Sequence, residues 1–298
     1  MKTLIVIVGP TGVGKTALCL DLAQRLDTVI INADSRQIYN EIPIGTAAPT
    51  KEEQDRVKHF FVGNLHIGDY YNAAMFENDV LKLLDKLFIE RDFVVMSGGS
   101  MMYVDAVCNG IDNIPNVNDD VRKHVKADYE KYGLAAMCRL LERLDPEYYA
   151  IVDKNNPKRV IHAVEICIST GKTYTSFRTN TKKKRPFNII KIGLIRERDE
   201  LYRRIDMRVD NMVEAGLVDE ATRMYPHKEL NALNTVGYKE LFSHFDGKCS
   251  LSEAIFRIKC DTHKYCRKQL TWFKRDNNIK WFSPDNVEEI INYVTTFR

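Results

Sequence analysis

Eight residues near the start of the chain, Gly9, Pro10, Thr11, Gly12, Val13, Gly14, Lys15 and Thr16, have the types and spacing of an anion cradle. In Gly-x4-Gly-Lys-Thr the glycines let the backbone curl until successive N–H groups face one anion, and a following helix adds the positive end of its dipole. Lys15 then reaches the terminal phosphate oxygens, and the Thr16 hydroxyl can ligate Mg²⁺. The bland alternative is a tight turn into a helix. The apolar run Leu4–Val8 before the loop and the helical period after it favour the cradle, which grips a phosphorylated or pyrophosphorylated substrate. The loop does not name the reaction. A nucleotide hydrolase usually carries a metal-holding Asp at the end of a later strand. Here the strand-like run Phe93–Met96 leads instead into Ser97-Gly98-Gly99-Ser100, and no Asn-Lys-x-Asp guanine-reading motif occurs.

A second constellation follows the run Val29–Asn32: Asp34-Ser35-Arg36-Gln37-Ile38-Tyr39. In an open parallel sheet the C-terminal strand ends converge on the ligand crevice, which puts Asp34 across from the phosphate loop, able to take a proton from an acceptor. Taken alone, Asp-Ser after a strand is more often a cap or a turn. Arg204 and Arg208, four apart on one helix, can both point at a diphosphate or form a solvated arginine face.

The elements that position these groups read as alternating strands and helices. Leu18, Leu22 and Leu26 recur at helical spacing in Thr16–Leu26, and Phe76, Val80, Leu83, Leu84, Leu87 and Phe88 mark another amphipathic helix. Such alternation points to an α/β parallel sheet flanked by helices, the fold of phosphate-loop nucleotide-binding proteins. Residues 1–114 form its first part. Charged helical segments without strands fill 115–185, an inserted helical domain. Residues 186–298 complete the core with a strand at Asn188–Ile195, helices at Asp199–Ala215, Leu217–Met224 and Leu251–Arg275, a short strand Ile279–Phe282 and a last helix capped by Asp285.

The Leu251–Arg275 helix carries a pattern of its own. At ~100° per residue, Arg257, Lys264, Lys268 and Arg275 fall within roughly 20° of one direction. Ile258, Thr262, Tyr265, Gln269 and Trp272 cluster on another, core-facing side. A basic stripe without acids is the footprint of a phosphate backbone, whereas a solvated face usually mixes signs. It is expected to lie outside the phosphate crevice. The run Lys182–Arg185 is weaker, being the composition of a solvated loop.

Bulk properties set few limits. The 298 residues are 44% hydrophobic and 29% charged, with a formal net charge of +3, ordinary for a soluble globular protein. No apolar run spans a bilayer, and the N-terminal segment belongs to the fold rather than to a signal peptide. Seven scattered cysteines without metal spacing fit reduced thiols in a cytoplasm.

At this point the sequence resembles the tRNA dimethylallyltransferases (tRNA isopentenyltransferases) of bacterial type, without the C-terminal zinc finger of eukaryotic members. The matching pieces are Gly9–Thr16, Asp34–Tyr39 with Ile44-Gly45-Thr46-Ala47, Gly98-Gly99-Ser100-Met101-Met102-Tyr103 and Pro157-x-Arg159-Val160-x-x-Ala163-x-Glu165. Leu201-Tyr202-x-Arg204-Ile205-x-x-Arg208-Val209, Val236-Gly237-Tyr238-Lys239-Glu240 and Lys268-Gln269-x-Thr271-Trp272-Phe273 follow in the family's order. The resemblance implies transfer of a dimethylallyl group from dimethylallyl pyrophosphate to the N6 amine of the adenosine 3′-adjacent to the anticodon. It implies Mg²⁺ as cofactor, the tRNA anticodon loop as partner, and no obligate protein partner. Asp34 matches the family's base, and Ser100 stands where the family has Thr, near leaving group or amine. Contacts to tRNA are implied for Asp34, Ser35, Arg36, Gln37, Ser100, Arg122, Lys158, Arg159, His162, Val236, Gly237, Tyr238, Lys239, Arg267, Gln269, Thr271 and Trp272, beside the basic stripe. A modified base must leave its stack, so the inserted helices are expected to close over the anticodon loop. Three positions depart from the pattern: His162 and His263 replace Arg, and Arg36 replaces a common Met. A small-metabolite or nucleoside kinase would share the loop and Asp34 but not need the basic helix. A nucleotide-dependent RNA-binding switch would explain loop and stripe but not Asp34 with Ser100.

Overall fold

A computed structural model describes residues 2–179 and 181–297. Six strands form one wholly parallel sheet: β1 (Thr3–Val8), β2 (Ile30–Asn32), β3 (His59–Phe60), β4 (Phe93–Ser97), β5 (Asn188–Leu194) and β6 (Ile279–Phe282). Their order is β3-β2-β4-β1-β5-β6. Strand β1 is buried along its whole length because helices cover both faces. Ile5 and Ile7 pack into one core cluster with Leu18 and Leu22; Leu4, Val6 and Val8 pack into the other with Phe76 and Val80. A third cluster, around Ile38, Leu217, Tyr238 and Leu241, is built from helices and loops, and its Leu217 and Ile258 reach the crevice described below.

The chain divides into two compact units, residues 1–108 with 184–298, and residues 109–183. The second unit is helical among its described residues. Its Asp119–Leu144 helix is broken at Gly133, whose φ of +74° lies in the left-handed region, and it packs with Pro146–Ile151 and Pro157–Thr170 around Val125, Leu141 and Val160. The buried Asp145 carboxylate accepts from the Tyr148 and Thr175 N–H groups and the Thr175 hydroxyl.

Two local expectations are corrected. Asp285 does not cap the last helix, Val287–Thr295, whose flanking residue is Asn286 without a side-chain cap. Its carboxylate instead grips Arg196 at 2.6 and 2.8 Å, a partner 89 residues away. Arg185 does not belong to a solvated basic run. It is buried against Glu77 at 2.7 Å and donates to the Ala106 and Val107 carbonyls.

Candidate active site

Strands β1, β2 and β4 end side by side, and the segments leaving them wall a crevice of about 1020 Å³. From the β1 tip comes the phosphate loop. Gly9, Gly12 and Gly14 have φ of +147°, +80° and +112°, and a Cβ on Gly9 would lie 2.9 Å from the Leu194 carbonyl, so side chains are excluded there. Gly14 precedes the helix Lys15–Arg25 and offers its first turn no side-chain acceptor. Those amides are left for an anion. The loop is braced from outside its own segment. Arg204 Nε donates to the Gly12 carbonyl at 2.8 Å, and Arg196 Nε to that of Val13 at 3.0 Å. Arg196 is a functional support that the motif reading misses, although its place just past β5 is itself a strand-tip signal.

Lys15 Nζ donates to the Gly9 and Pro10 carbonyls, each at 2.9 Å. Burial, with the Arg208 charge second, pulls its pKa down to about 8. Burial likewise lowers that of Arg208, against the pull of Asp34 and Glu53. Arg204 and Arg208 both line the crevice.

At the β2 tip, Asp34 Oδ1 accepts from the Arg36 N–H at 2.9 Å and the Gln37 N–H at 3.4 Å, which is the turn-capping role. Oδ2 has no hydrogen-bond partner among the described residues, so one carboxylate combines a capping oxygen with an open one. At the β4 tip the Ser100 hydroxyl accepts from the Ser35 N–H at 2.8 Å and donates to the Ser35 hydroxyl at 3.0 Å. It lines the crevice by sewing two strand tips together. Gly98 lies against the Ala33 carbonyl, where a Cβ would come within 2.0 Å.

The residues expected at tRNA fall into distinct groups. Ser35, Arg36, Gln37, Val236, Gly237, Lys239, Lys264 and Lys268 line the crevice with Asp34 and Ser100. Gln37 Nε2 donates to the Thr46 and Ala47 carbonyls at 3.0 Å. Arg122, Lys158, Arg159 and His162 belong to the helical unit. There Arg122 lies 3.8 Å from Asp119, and His162 sets its ring edge against Tyr174. Arg267 donates to the Tyr202 hydroxyl at 2.8 Å, and Thr271 is exposed.

Several expectations are corrected. Tyr238 is no surface contact: it is fully buried and donates to Glu220. The Glu220 carboxylate, 1% exposed, also accepts from the Ile44 and Gly45 N–H groups at 2.9 and 2.8 Å. It thereby fixes from behind the turn that holds Gln37. Nothing in the sequence singles out Glu220, which looks like an ordinary first-turn acid. Gln269 also borders the crevice, though it is 1% exposed with both amide atoms hydrogen-bonded, and the half-buried Trp272 donates its indole N–H to Asp105 at 2.9 Å. The basic stripe is not free of acids, since Glu253 pairs with Arg257 at 2.6 Å and Asp261 with Lys264 at 2.7 Å. Nor does it lie wholly outside the crevice, which Lys264 and Lys268 line. Arg275 lies 5.4 Å over the Trp272 ring. His263 stacks on Tyr202 at 4.0 Å, with Nε2 2.9 Å from Asp206.

A parallel sheet with a phosphate-gripping loop at one central strand tip and an open carboxylate at the neighbouring tips' crevice defines a P-loop NTPase-like protein equipped for transfer to an acceptor. The sequence model of the IPP transferase family matches residues 37–276, and the chain belongs to that family. It is 57% identical to tRNA dimethylallyltransferase 1 of Phocaeicola vulgatus over 98% of this chain and 97% of that one. It is 56% identical to tRNA dimethylallyltransferase 1 of Bacteroides thetaiotaomicron over 99% and 96%. Among solved structures it resembles the tRNA isopentenylpyrophosphate transferase of Bacillus halodurans, with TM-score 0.73 and 35% identity over 99% of this chain and 96% of that one. These likenesses set aside the kinase reading. Prenyl pyrophosphates, the substrates the family is named for, are a class whose enzymes generally use a divalent metal. No helix among the described residues is long and apolar enough to cross a membrane.

Proposed function

We propose that the crevice transfers the dimethylallyl group of dimethylallyl pyrophosphate to the N6 amine of the adenosine 3′-adjacent to the anticodon of tRNA, in the cytoplasm. The observation that carries this reading is the open Oδ2 of Asp34, facing the same crevice as Lys15 and the phosphate loop. Lys15, Arg208, Arg204 and the amides at the uncapped start of the Lys15–Arg25 helix hold the diphosphate. As the allylic C1–O bond breaks, its electron pair leaves with the diphosphate, where these fixed positive groups are already arranged. The adenosine N6 forms the new bond to C1 and passes its proton to Asp34 Oδ2. Ser100 positions Asp34's turn through Ser35.

The Thr16 hydroxyl lines the crevice, is exposed, and has no hydrogen-bond partner among the described residues. No group of three or more His, Cys, Asp or Glu suited to a metal occurs among them. One protein oxygen beside a diphosphate suits Mg²⁺, which keeps waters and prefers phosphate oxygens to an all-protein cage. When bound there, Mg²⁺ supplies positive charge to the leaving group. Arg36, Lys239, Lys264 and Lys268 hold the RNA backbone at the crevice, and Arg122, Lys158, Arg159 and His162 contribute contacts from the helical unit.

The test offers the purified protein labelled dimethylallyl pyrophosphate with tRNA and, separately, ATP with nucleosides. N6-(dimethylallyl)adenosine in tRNA is the expected product, and phosphorylated nucleoside without it would overturn the reading. Asp34→Asn should keep pyrophosphate binding while turnover falls ~10²–10⁴-fold, the usual worth of a positioned base. Turnover like that of the unaltered protein would remove Asp34 from the role.

A further inference from the structure

The side chain of Gln269 lies between the two glycine-rich loops. Its Oε1 accepts from the Thr11 N–H of the phosphate loop at 2.9 Å, and its Nε2 donates to the Gly99 carbonyl at 2.9 Å. Only one orientation of the amide satisfies both partners, so the O and N positions are fixed by the pairing. At 1% exposure it competes with no water. One turn earlier on the same helix face, the Tyr265 hydroxyl donates to the same Gly99 carbonyl at 3.2 Å. A Cβ on Gly99 would sit 2.5 Å from Gln269 Nε2 and 3.7 Å from Asp34 Oδ2. Gly99 is thus glycine because the amide must approach closely, and the same backbone point borders the open carboxylate oxygen. The helix that carries Gln269, Leu251–Phe273, also brings Lys264 and Lys268 to the crevice.

We propose that Gln269 is a positioning residue: a clasp that sets the distance between the cradle of the leaving diphosphate and the base at the acceptor amine. The proposal rests on the transferase reading above. In an in-line displacement the allylic carbon lies between these two groups, so an error in their spacing is felt in the transition state more than in binding either substrate. Gln269 borders the crevice, but both of its polar atoms are committed to loop backbone. It acts through Thr11 on one side and Gly99 on the other.

The test uses the full-length protein with Gln269→Met, which keeps volume and loses both hydrogen bonds, and Gln269→Glu, which keeps the acceptor for Thr11 but opposes a carboxylate to the Gly99 carbonyl. Single-turnover transfer is measured at saturating tRNA and dimethylallyl pyrophosphate, with tRNA affinity measured separately by equilibrium binding. The expected result is a fall in rate of ~10²-fold for Met, at tRNA affinity within threefold of the unaltered protein. The Glu variant should be impaired as well, because half of the clasp does not set a distance. A rate within threefold in a folded Met variant, or a loss confined to tRNA affinity, would overturn the proposal. If Met does not fold, Glu decides alone: full transfer rate with one bond retained would overturn it equally. An unaltered protein that makes no prenylated tRNA would refute the transferase reading instead, so the two failures are distinguishable.

Discussion

Replacing Gly98 by alanine places a methyl group 2.0 Å from the Ala33 oxygen, 2.2 Å from its carbonyl carbon and 2.7 Å from its Cα. All three are backbone atoms, so no rotamer change relieves the overlap. Bringing the closest contact to an ordinary separation of about 3.3 Å requires the tips of β2 and β4 to part by over 1 Å. Two hydrogen bonds straddle the contact, Ala33 N–H to Ser97 O at 2.7 Å and Ser100 N–H to Ala33 O at 3.3 Å, and both stretch with it. At about 1 kcal/mol net for each bond, plus 1–3 kcal/mol for overpacking, the variant should lose ~3–5 kcal/mol of stability. Asp34 follows Ala33 and Ser100 follows Gly99, so the base and its support move apart together. A displacement of that size should cost ~10²-fold in turnover beyond any effect of unfolding. Urea unfolding gives the stability change, and single-turnover transfer well below the unfolding temperature gives the rate. Gly68→Ala is the control, since nothing lies within 4 Å of the added methyl. A Gly98→Ala protein with turnover within twofold of the unaltered one and stability within about 1 kcal/mol of it would refute the argument.

Lys15, with its pKa held down to about 8, is charged below that pH and neutral above it. Affinity for dimethylallyl pyrophosphate should therefore fall by up to tenfold per pH unit above pH 8, with a proton taken up on binding, which calorimetry in buffers of different ionisation enthalpy detects. A flat affinity from pH 7 to 10 would contradict it. Lys268 lines the crevice without an ion-pair partner among the described residues, whereas Arg257 already has Glu253. Lys268→Gln should flatten the slope of log K against log salt for tRNA by ~0.7 and Arg257→Gln by less; equal changes would refute the distinction.

The sheet is legible because each long strand is an apolar run closed by glycine or a turn, and the site is legible because its anion chemistry demands local spacing. What is not legible is set by partners distant in sequence. Strand β3 has only two residues and exists by pairing with β2. Asp285 reads as a cap until Arg196 claims it. Tyr238 reads as a ligand contact because it stands in a motif, yet its burial against Glu220 shows that a motif can record what supports a site rather than what touches the ligand. The stripe on the Leu251–Phe273 helix is a different failure. Glu253 and Asp261 lie only ~40° to either side of Arg257, and counting basic residues alone passes over them.

The sheet order has a consequence for synthesis. β1 lies between β4 and β5, and its pairing with β5 joins Thr3 to Asn188 and Val8 to Gly193. While the ribosome makes the helical unit, β1 has a neighbour on one edge only. The other edge stays unpaired, with its backbone donors and acceptors exposed to any passing strand. The helices of 109–183 close local contacts and can form early, whereas the core waits for a partner about 180 residues downstream. The enzyme's hazardous interval is therefore its own translation, and a chain cut short before β5 is the form most prone to aggregate.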